Sequence, residues 1–330
     1  MSEEKLALLK KDGFIHLSES YSKALELIEK RQSGEVKSLK TPWSKINKIL
    51  MNGFEWNSLV VIGGRPGSGK TLMSSIITRE AFRLNPDQDI AVLDFQFEMS
   101  HYITALREIS GNTRVKMRKL MSGNEDDEKA TAEELIAAAK YCEANKHRDI
   151  YTFDKALSPK EIVKKIKDFY NIVKKKTIIT IDHSNLLLKG EAGNKMDMLY
   201  DLGAELAKLR RDYPFIIIVL TQLNREIATK ERTVEGSDAN LLRDTDVFGA
   251  DALLQFTDLL IGINKPSQYH IKEYGEDRYL INDDTLAIHF LKNRNGEPCY
   301  TFFKADFPRF SMEETVIEKA ESLPKFRKKY

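Results

Sequence analysis

Gly64-Arg65-Pro66-Gly67-Ser68-Gly69-Lys70-Thr71 meets every fixed position of the pattern G-x-x-x-x-G-K-[ST]. A short apolar run, Leu59 to Ile62, precedes it, and a segment of helical spacing, Leu72 to Leu84, follows. That order leaves little freedom: a buried strand must run into a tight loop, and the loop into a helix. Glycines at 64, 67 and 69 let several backbone N–H groups converge on one anion, and the helix adds the positive end of its dipole. A phosphate fits there. Lys70 would reach the β and γ phosphates of a nucleotide such as ATP, and the Thr71 hydroxyl would face its Mg²⁺. The competing reading is a glycine-rich surface turn that matches by chance, and the flanking strand and helix speak against it.

A loop of this kind stands on a sheet, and 330 residues suffice for an α/β core with flanking arms. Hydrophobic content of 42% and charged content of 31% are ordinary for a soluble globular chain. A net charge of +2 does not announce a nucleic-acid protein, so any such contact must come from local basic loops. Two cysteines, Cys142 and Cys299, form no C-x-x-C and no Cys/His cluster, which argues against a disulfide framework and a zinc site. A reducing cytoplasm is the expected location, that of the host if the chain is phage-encoded. The amino terminus lacks a signal-peptide core, and no apolar run is long enough to span a bilayer.

Along the chain, Tyr21, Ala24, Leu25 and Ile28 recur at helical spacing between Ser20 and Arg31, and Ser33-Gly34 ends that amphipathic helix. Strand-like and helix-like segments then alternate as a parallel sheet requires. The expected strands are Leu59 to Ile62, Ile90 to Phe95, Thr177 to Ile181, Phe215 to Leu220 and Asp258 to Ile263. Thr131-x-x-Glu134 and Ser158-Pro159-Lys160-Glu161 read as capping boxes opening helices near 131 to 146 and 158 to 175. Met196 to Arg211 carries a further helix. Thr285 to Leu291 and Cys299 to Phe303 read as an antiparallel hairpin at the sheet's edge, with Asn295-Gly296 as the turn. The resulting division is an arm with a linker helix (1–40), a core (41–312) and a basic mobile tail (313–330). Residues 189–194 and 228–246 are long polar loops, and 111–131, with Arg114, Lys116, Arg118 and Lys119, reads as a solvated helix face.

Phosphoryl transfer also needs a carboxylate near the metal, at the end of a strand beside the phosphate loop. Asp182, directly after Ile178-Ile179-Thr180-Ile181, suits that role, with a turn-capping aspartate as the alternative. Glu98 follows the second core strand and could orient water, in competition with Asp94 and with a solvated helix-start glutamate. Gln222 could offer an amide to a γ-phosphate or simply end a strand. Lys292-Asn293-Arg294-Asn295-Gly296, read by itself, is more often a solvated turn than a cationic finger.

Five blocks together go further: Arg65 to Thr71, Phe97-Glu98-Met99-Ser100, Ile181-Asp182, Thr221-Gln222-Leu223-Asn224-Arg225 and Lys292 to Gly296. They resemble the motifs of the DnaB family of replicative helicases, in that family's order and approximate spacing, over residues 38 to 310. The resemblance implies an α/β, RecA-like P-loop fold assembled as a hexameric ring around single-stranded DNA, hydrolysing ATP with Mg²⁺ at subunit interfaces. Residue by residue, it makes Lys70 and Thr71 the Walker A pair, Glu98 the catalytic glutamate, Asp182 the Walker B aspartate and Gln222 the γ-phosphate sensor. Lys292 and Arg294 match the basic pair inserted towards a neighbour's γ-phosphate. Leu242-Arg243-Asp244 looks like the family's Leu-Arg-Glu segment in a DNA-facing loop, and Gln255 falls near the glutamine that follows it; Arg225 and Arg243 are expected to touch DNA phosphates. The segment 20 to 32 looks like the linker helix that docks on the adjacent subunit.

The chain departs from the family in three places. About 40 residues precede the core-like part, leaving no collar domain and putting primase and loader contacts in question. His183-Ser184-Asn185 stands where Tyr-Leu-Gln is common, and the chain is a few residues longer between Arg243 and Gln255. A bacteriophage or plasmid helicase moving 5′ to 3′ is the leading expectation. A RecA-like strand-exchange or annealing filament and a nucleotide-gated ring scaffold are the alternatives.

Overall fold

Four seven-residue runs rich in β-branched and apolar side chains, Ser58–Gly64 (β1), Ile90–Gln96 (β2), Lys176–Asp182 (β4) and Phe215–Thr221 (β5), make the centre of the structure. All but Lys176 are fully buried along these strands, as expected where helices cover both faces of a parallel sheet. The structure, a computed structural model, describes residues 9, 11–123, 128–182 and 195–320. His183-Ser184-Asn185, the loop 189–194 and the basic end of the tail lie outside the described residues.

The chain divides into two units, 1–39 and 40–330. In the first, Leu17–Gln32 forms a helix (α1) that starts earlier than its apolar spacing indicates, because the His16 side chain accepts from the Ser18 N–H. None of its residues is buried, and Tyr21, Leu25 and Ile28 are exposed.

In the second unit, after the short helix Ser44–Ile49 (α2), strands alternate with Lys70–Leu84 (α3), His101–Thr113 (α4), Met117–Met121 (α5), Ala132–Asn145 (α6), Pro159–Val173 (α7) and Lys195–Asp212 (α8). Both capping boxes form: the Thr131 and Ser158 N–H groups donate to Glu134 and Glu161, each at 2.8 Å. Ile150–Phe153 is β3, Ala250–Leu253 a single turn (α9), and Leu259–Asn264, Glu273–Tyr274, Tyr279–Leu280, Thr285–Asn293, Cys299–Asp306 and Ser311–Glu314 are β6 to β11. The nine-stranded sheet runs β11-β10-β9-β6-β1-β5-β4-β2-β3, parallel from β6 to β3 and antiparallel from β9 to β11. One face buries Ile162 and Ile166 of α7 and Leu199, Leu202, Leu206 and Leu209 of α8 against Phe95, Ile179, Ile217 and Val219. Each such side chain contributes about 1.5–3 kcal/mol by leaving water.

Three parts go beyond the apolar pattern. The antiparallel hairpin β9–β10 forms, but it is not the sheet's edge as expected: β11 pairs outside it and extends the sheet by one strand. Residues 313–320, assigned to the tail, are built into the body: 313 and 314 belong to β11, the Leu280 N–H donates to the Glu318 carbonyl at 2.9 Å, and Lys319 bridges to Tyr279. The stretch 111–131 is a solvated helix face only in part. Arg114 caps α4 in a left-handed conformation and pairs with Glu313 at 3.0 Å, Val115 is buried, and Lys119 meets Glu128 and Glu134.

Between β6 and β9 a buried polar chain links Asn264, Tyr274 and His289: the Asn264 amide donates to the Tyr274 hydroxyl at 3.0 Å, which lies 2.9 Å from His289 Nε2. Burial lowers the His289 pKa from 6.5 to about 3, while the charge of Asp246 acts in the opposite direction. The unfolded chain therefore takes up a proton below pH 6.5 that the folded chain refuses, so stability present above that pH is lost as pH falls towards 3. At about pH 4.5 the loss is roughly 3 kcal/mol. Chemical denaturation followed across pH 7 to 4.5 should show it, and His289→Gln should flatten the dependence; an unchanged slope in that variant refutes the assignment.

Candidate nucleotide site and the loops around it

The phosphate loop turns between β1 and α3 as its glycines require. Gly67 and Gly69 have φ of 75° and 99°, in the left-handed region. A Cβ on Gly64 would collide with Ser68 Oγ and sit 2.9 Å from Lys70 Cγ, so only glycine fits. Ser68 Oγ is buried with no hydrogen-bond partner. The Lys70 ammonium donates to the Gly64 carbonyl at 2.7 Å and the Arg65 carbonyl at 3.2 Å. Burial lowers the Lys70 pKa, and the negative charges of Asp182 and Glu98 act against that. An incoming anion would further stabilise the charged lysine.

Opposite the loop, β4 ends in Asp182, which is 4% exposed and accepts from the Thr71 hydroxyl at 2.7 Å. Asp182 pairs in register with Gln96, and its carbonyl accepts from the Phe97 N–H at 2.8 Å, which brings Glu98 to the same end of the sheet. Gln222 follows the last residue of β5. Lys70, Thr71, Asp182, Glu98 and Gln222 line one cleft of about 350 Å³, together with Pro66, Gly67 and Gly69. Arg65 sits beside it, donating to the Leu223 carbonyl at 3.2 Å.

Arg107, Phe307 and Phe310 are among the cleft residues that escaped the sequence reading. Arg107 on α4 enters the cleft over the Phe310 ring, 5.3 Å from its centroid, and Phe307 lies beside it. Burial lowers the Arg107 pKa against the opposing charges of Asp182 and Glu98, yet a guanidinium stays protonated. No spacing in the sequence signals Arg107, whose place in the cleft depends on how its helix, His101–Thr113, packs. Phe307 and Phe310 follow β10 and arrive by topology alone.

Lys292 and Arg294 are not in this cleft. They lie at the end of β9 and just beyond it, opposite the start of β6, where Arg294 pairs with Asp258 at 2.8 Å and Lys292 donates to the Leu254 carbonyl. Asp258 binds Leu59 at the start of β1, and Gly64 is at the other end of that strand. Five residues of strand span about 16 Å, so these cations sit at the far end of the sheet from their own phosphate loop.

Past Gln222 the chain enters the long polar loop. Leu223 bridges Val247, the Phe248 N–H donates to the Gln222 carbonyl at 2.8 Å, and the Asn224 N–H to the Asp246 carbonyl at 2.7 Å, so both ends of the loop close beside the cleft. Arg232 staples its interior, with forked bonds to Asp246 at 2.6 and 2.7 Å and to the Ala239 and Leu241 carbonyls at 2.7 and 2.8 Å. Its side-chain bonds to Asp246 raise the Arg232 pKa. Arg225, Arg243 and Asp244 are exposed on the loop, and Asp244 accepts from the Thr245 N–H at 2.8 Å.

Residues 38–312 match the family model for the DnaB-like helicase C terminal domain. The chain belongs to that family. It is similar to the replicative DNA helicase DnaB of Helicobacter pylori (strain ATCC 700392 / 26695), 27% identical over 91% of this chain and 65% of the relative. The chain thus spans somewhat less than two thirds of the length of these curated relatives. Among solved structures, a separately solved ATPase domain superposes with a TM-score of 0.73 at 18% identity, covering 89% of this chain and 98% of that one. A DnaB-like replicative helicase solved for its interactions with primase gives 0.71 at 18%, covering 89% and 66%. The fold is RecA-like α/β.

In this DnaB-like fold the donor set suits a nucleotide with Mg²⁺: an unsatisfied buried hydroxyl at Ser68, a glycine cradle, an ammonium bound to loop carbonyls, and paired Thr71 and Asp182 oxygens beside them. Among the described residues no cluster of three or more His, Cys, Asp or Glu could hold a metal by itself. No described helix is long and apolar enough to cross a membrane.

Proposed function

We propose that this chain is the motor of a replicative DNA helicase that hydrolyses ATP at the interfaces of a ring, hexameric as in the family, and moves 5′ to 3′ along single-stranded DNA. One observation carries the reading. Five groups suited to binding and activating a triphosphate share a cleft, while the candidate cationic finger lies at the opposite end of the sheet. Such a site is completed only by a second copy of the chain.

The loop amides and Lys70 hold the β and γ phosphates, and Gln222 reads the γ-phosphate through its amide. Glu98, the exposed carboxylate of the cleft, orients the attacking water. Thr71 and Asp182 would hold Mg²⁺ together with the nucleotide, and the ion would supply charge neutralisation at the phosphates. A neighbour's Arg294, with Lys292, stabilises the charge that develops during transfer. Arg225, Arg243 and the amides of their loop contact DNA phosphates, and Asp244 shapes the turn that carries Arg243. Primase and a loader are further candidate partners.

A forked duplex with a 5′ tail tests the motor: Mg²⁺-ATP should drive strand separation, and light scattering should show a ring-sized mass with nucleotide and oligonucleotide. Binding without unwinding, in filaments seen by negative stain, would replace the helicase by the strand-exchange reading; rings that never unwind would leave the scaffold.

Arg232 supplies a separate test of the DNA loop. Arg232→Ala leaves Asp246, 3% exposed, without its guanidinium and loosens the turns that present Arg243. Affinity for an oligonucleotide should fall by on the order of tenfold. Nucleotide affinity should change far less. Fluorescence anisotropy measures the first, and undiminished binding would remove the loop from the interface.

A further inference from the structure

Asp258 ties the finger strand to the strand that feeds the phosphate loop. It directly precedes β6 and is 15% exposed. One carboxylate oxygen meets Arg294 at 2.8 Å; the other meets Arg210 of α8 at 3.0 Å and accepts from the Leu59 N–H at 2.9 Å. Its backbone joins the same elements, donating to the Leu59 carbonyl at 2.9 Å and accepting from the Arg294 N–H at 3.1 Å. A register shift between Leu260 and Ile261 re-aims the end of β9 just there.

We propose that Asp258 is a positioning residue for hydrolysis in the adjacent subunit: it sets the angle at which this protomer presents Arg294. The inference rests on the trans role of Arg294 proposed above. Arg294 is half exposed, and a guanidinium carries five donors, so engaging one on Asp258 leaves others for an incoming oxyanion. An arginine aligned beforehand loses less freedom when it engages than one sampling its rotamers. Arg210 on the second oxygen keeps the carboxylate from following Arg294 outwards.

The test uses the assembled protein with Mg²⁺-ATP and an oligonucleotide. Asp258→Asn keeps the shape and an acceptor for Leu59 but removes the charge. Its kcat should fall by on the order of tenfold to a hundredfold with KM for ATP nearly constant. Adding Asp258→Asn to Arg294→Ala should cause no further loss, as expected if both act through one guanidinium. Mixed with Glu98→Gln subunits, Asp258→Asn subunits should regain activity, because their own clefts are intact and the partner offers a held Arg294. Mixed with Arg294→Ala subunits they should not. A purely structural role predicts a loss that adds to that of Arg294→Ala and no selective recovery; either result, or a parental rate in Asp258→Asn, overturns the proposal. If Asp258→Asn does not fold, Asp258→Glu, which keeps a charge beside Arg210, is read by the same criteria. A slow Arg294→Ala beside a fast Asp258→Asn refutes this inference alone, whereas a fast Arg294→Ala refutes the trans reading beneath it.

Discussion

Lys70→Ala should abolish ATP turnover, a loss of at least about a thousandfold, while the chain still folds. The side chain is 8% exposed, and its ammonium is held on the Gly64 and Arg65 carbonyls at the point where the phosphates would lie. Removing it deletes the one cation that the loop itself offers to the β and γ oxygens. Folding is not expected to suffer, since a largely desolvated ammonium contributes little net stability. A thermal midpoint at or above that of the parent would be the control. The parent should show a companion effect of pH. Burial lowers the Lys70 pKa below the usual 10.5, so the charged form is lost, and kcat/KM falls, as pH rises through that lowered value. Bound phosphate pushes the pKa back up, so the alkaline limb of kcat should lie at higher pH than that of kcat/KM. Parental ATPase rates in Lys70→Ala would detach the loop from the chemistry.

What was legible beforehand follows from which forces act locally. The five central parallel strands were readable because strands buried on both faces become unbroken apolar runs, as in Phe215 to Leu220. Thr131 and Ser158 marked helix starts because capping satisfies donors within four residues of chain. The cleft residues Lys70, Thr71, Glu98, Asp182 and Gln222 each stand in or just past a strand, loop or turn with a readable pattern. By contrast, β3 and β11 are short and only partly buried: Ile150–Phe153 is strand-prone in composition but only four residues long, and Ser311–Glu314 carries no strand pattern. Arg107, Arg232 and Asp258 were illegible for another reason. Their roles depend on partners across the fold, such as Phe310 for Arg107 and Arg294 for Asp258, and no spacing rule encodes a contact of that range. The loop 228–246 reads as long and polar with a likeness to a DNA-facing segment at Leu242-Arg243-Asp244, but nothing in its pattern shows that Arg232 organises it, since a planar fork binds a carboxylate and carbonyls at once.

Arg294→Ala should leave ATP binding largely intact and cut hydrolysis by on the order of a thousandfold, the usual consequence of losing a finger supplied in trans. Geometry makes that outcome informative. Arg294 rests on Asp258 beside Leu59, and the phosphate loop begins at Gly64. About 16 Å of strand lies between them, more than a side chain can bridge, so Arg294 does not reach the phosphate loop of its own protomer. The complementary variant is Glu98→Gln, whose own cleft is disabled while its Arg294 is untouched. In an equal, random mixture, a productive interface needs an Arg294→Ala cleft facing a Glu98→Gln neighbour. That combination occurs at about one interface in four around a head-to-tail ring. ATPase activity should therefore rise from near zero towards a quarter of the parental rate, and lower if neighbouring sites must fire in turn. A mixture as inactive as its two components would show that the sites are not shared, and a single subunit hydrolysing ATP at full rate with Arg294 removed would put the missing cation inside the cleft, where Arg107 is the candidate.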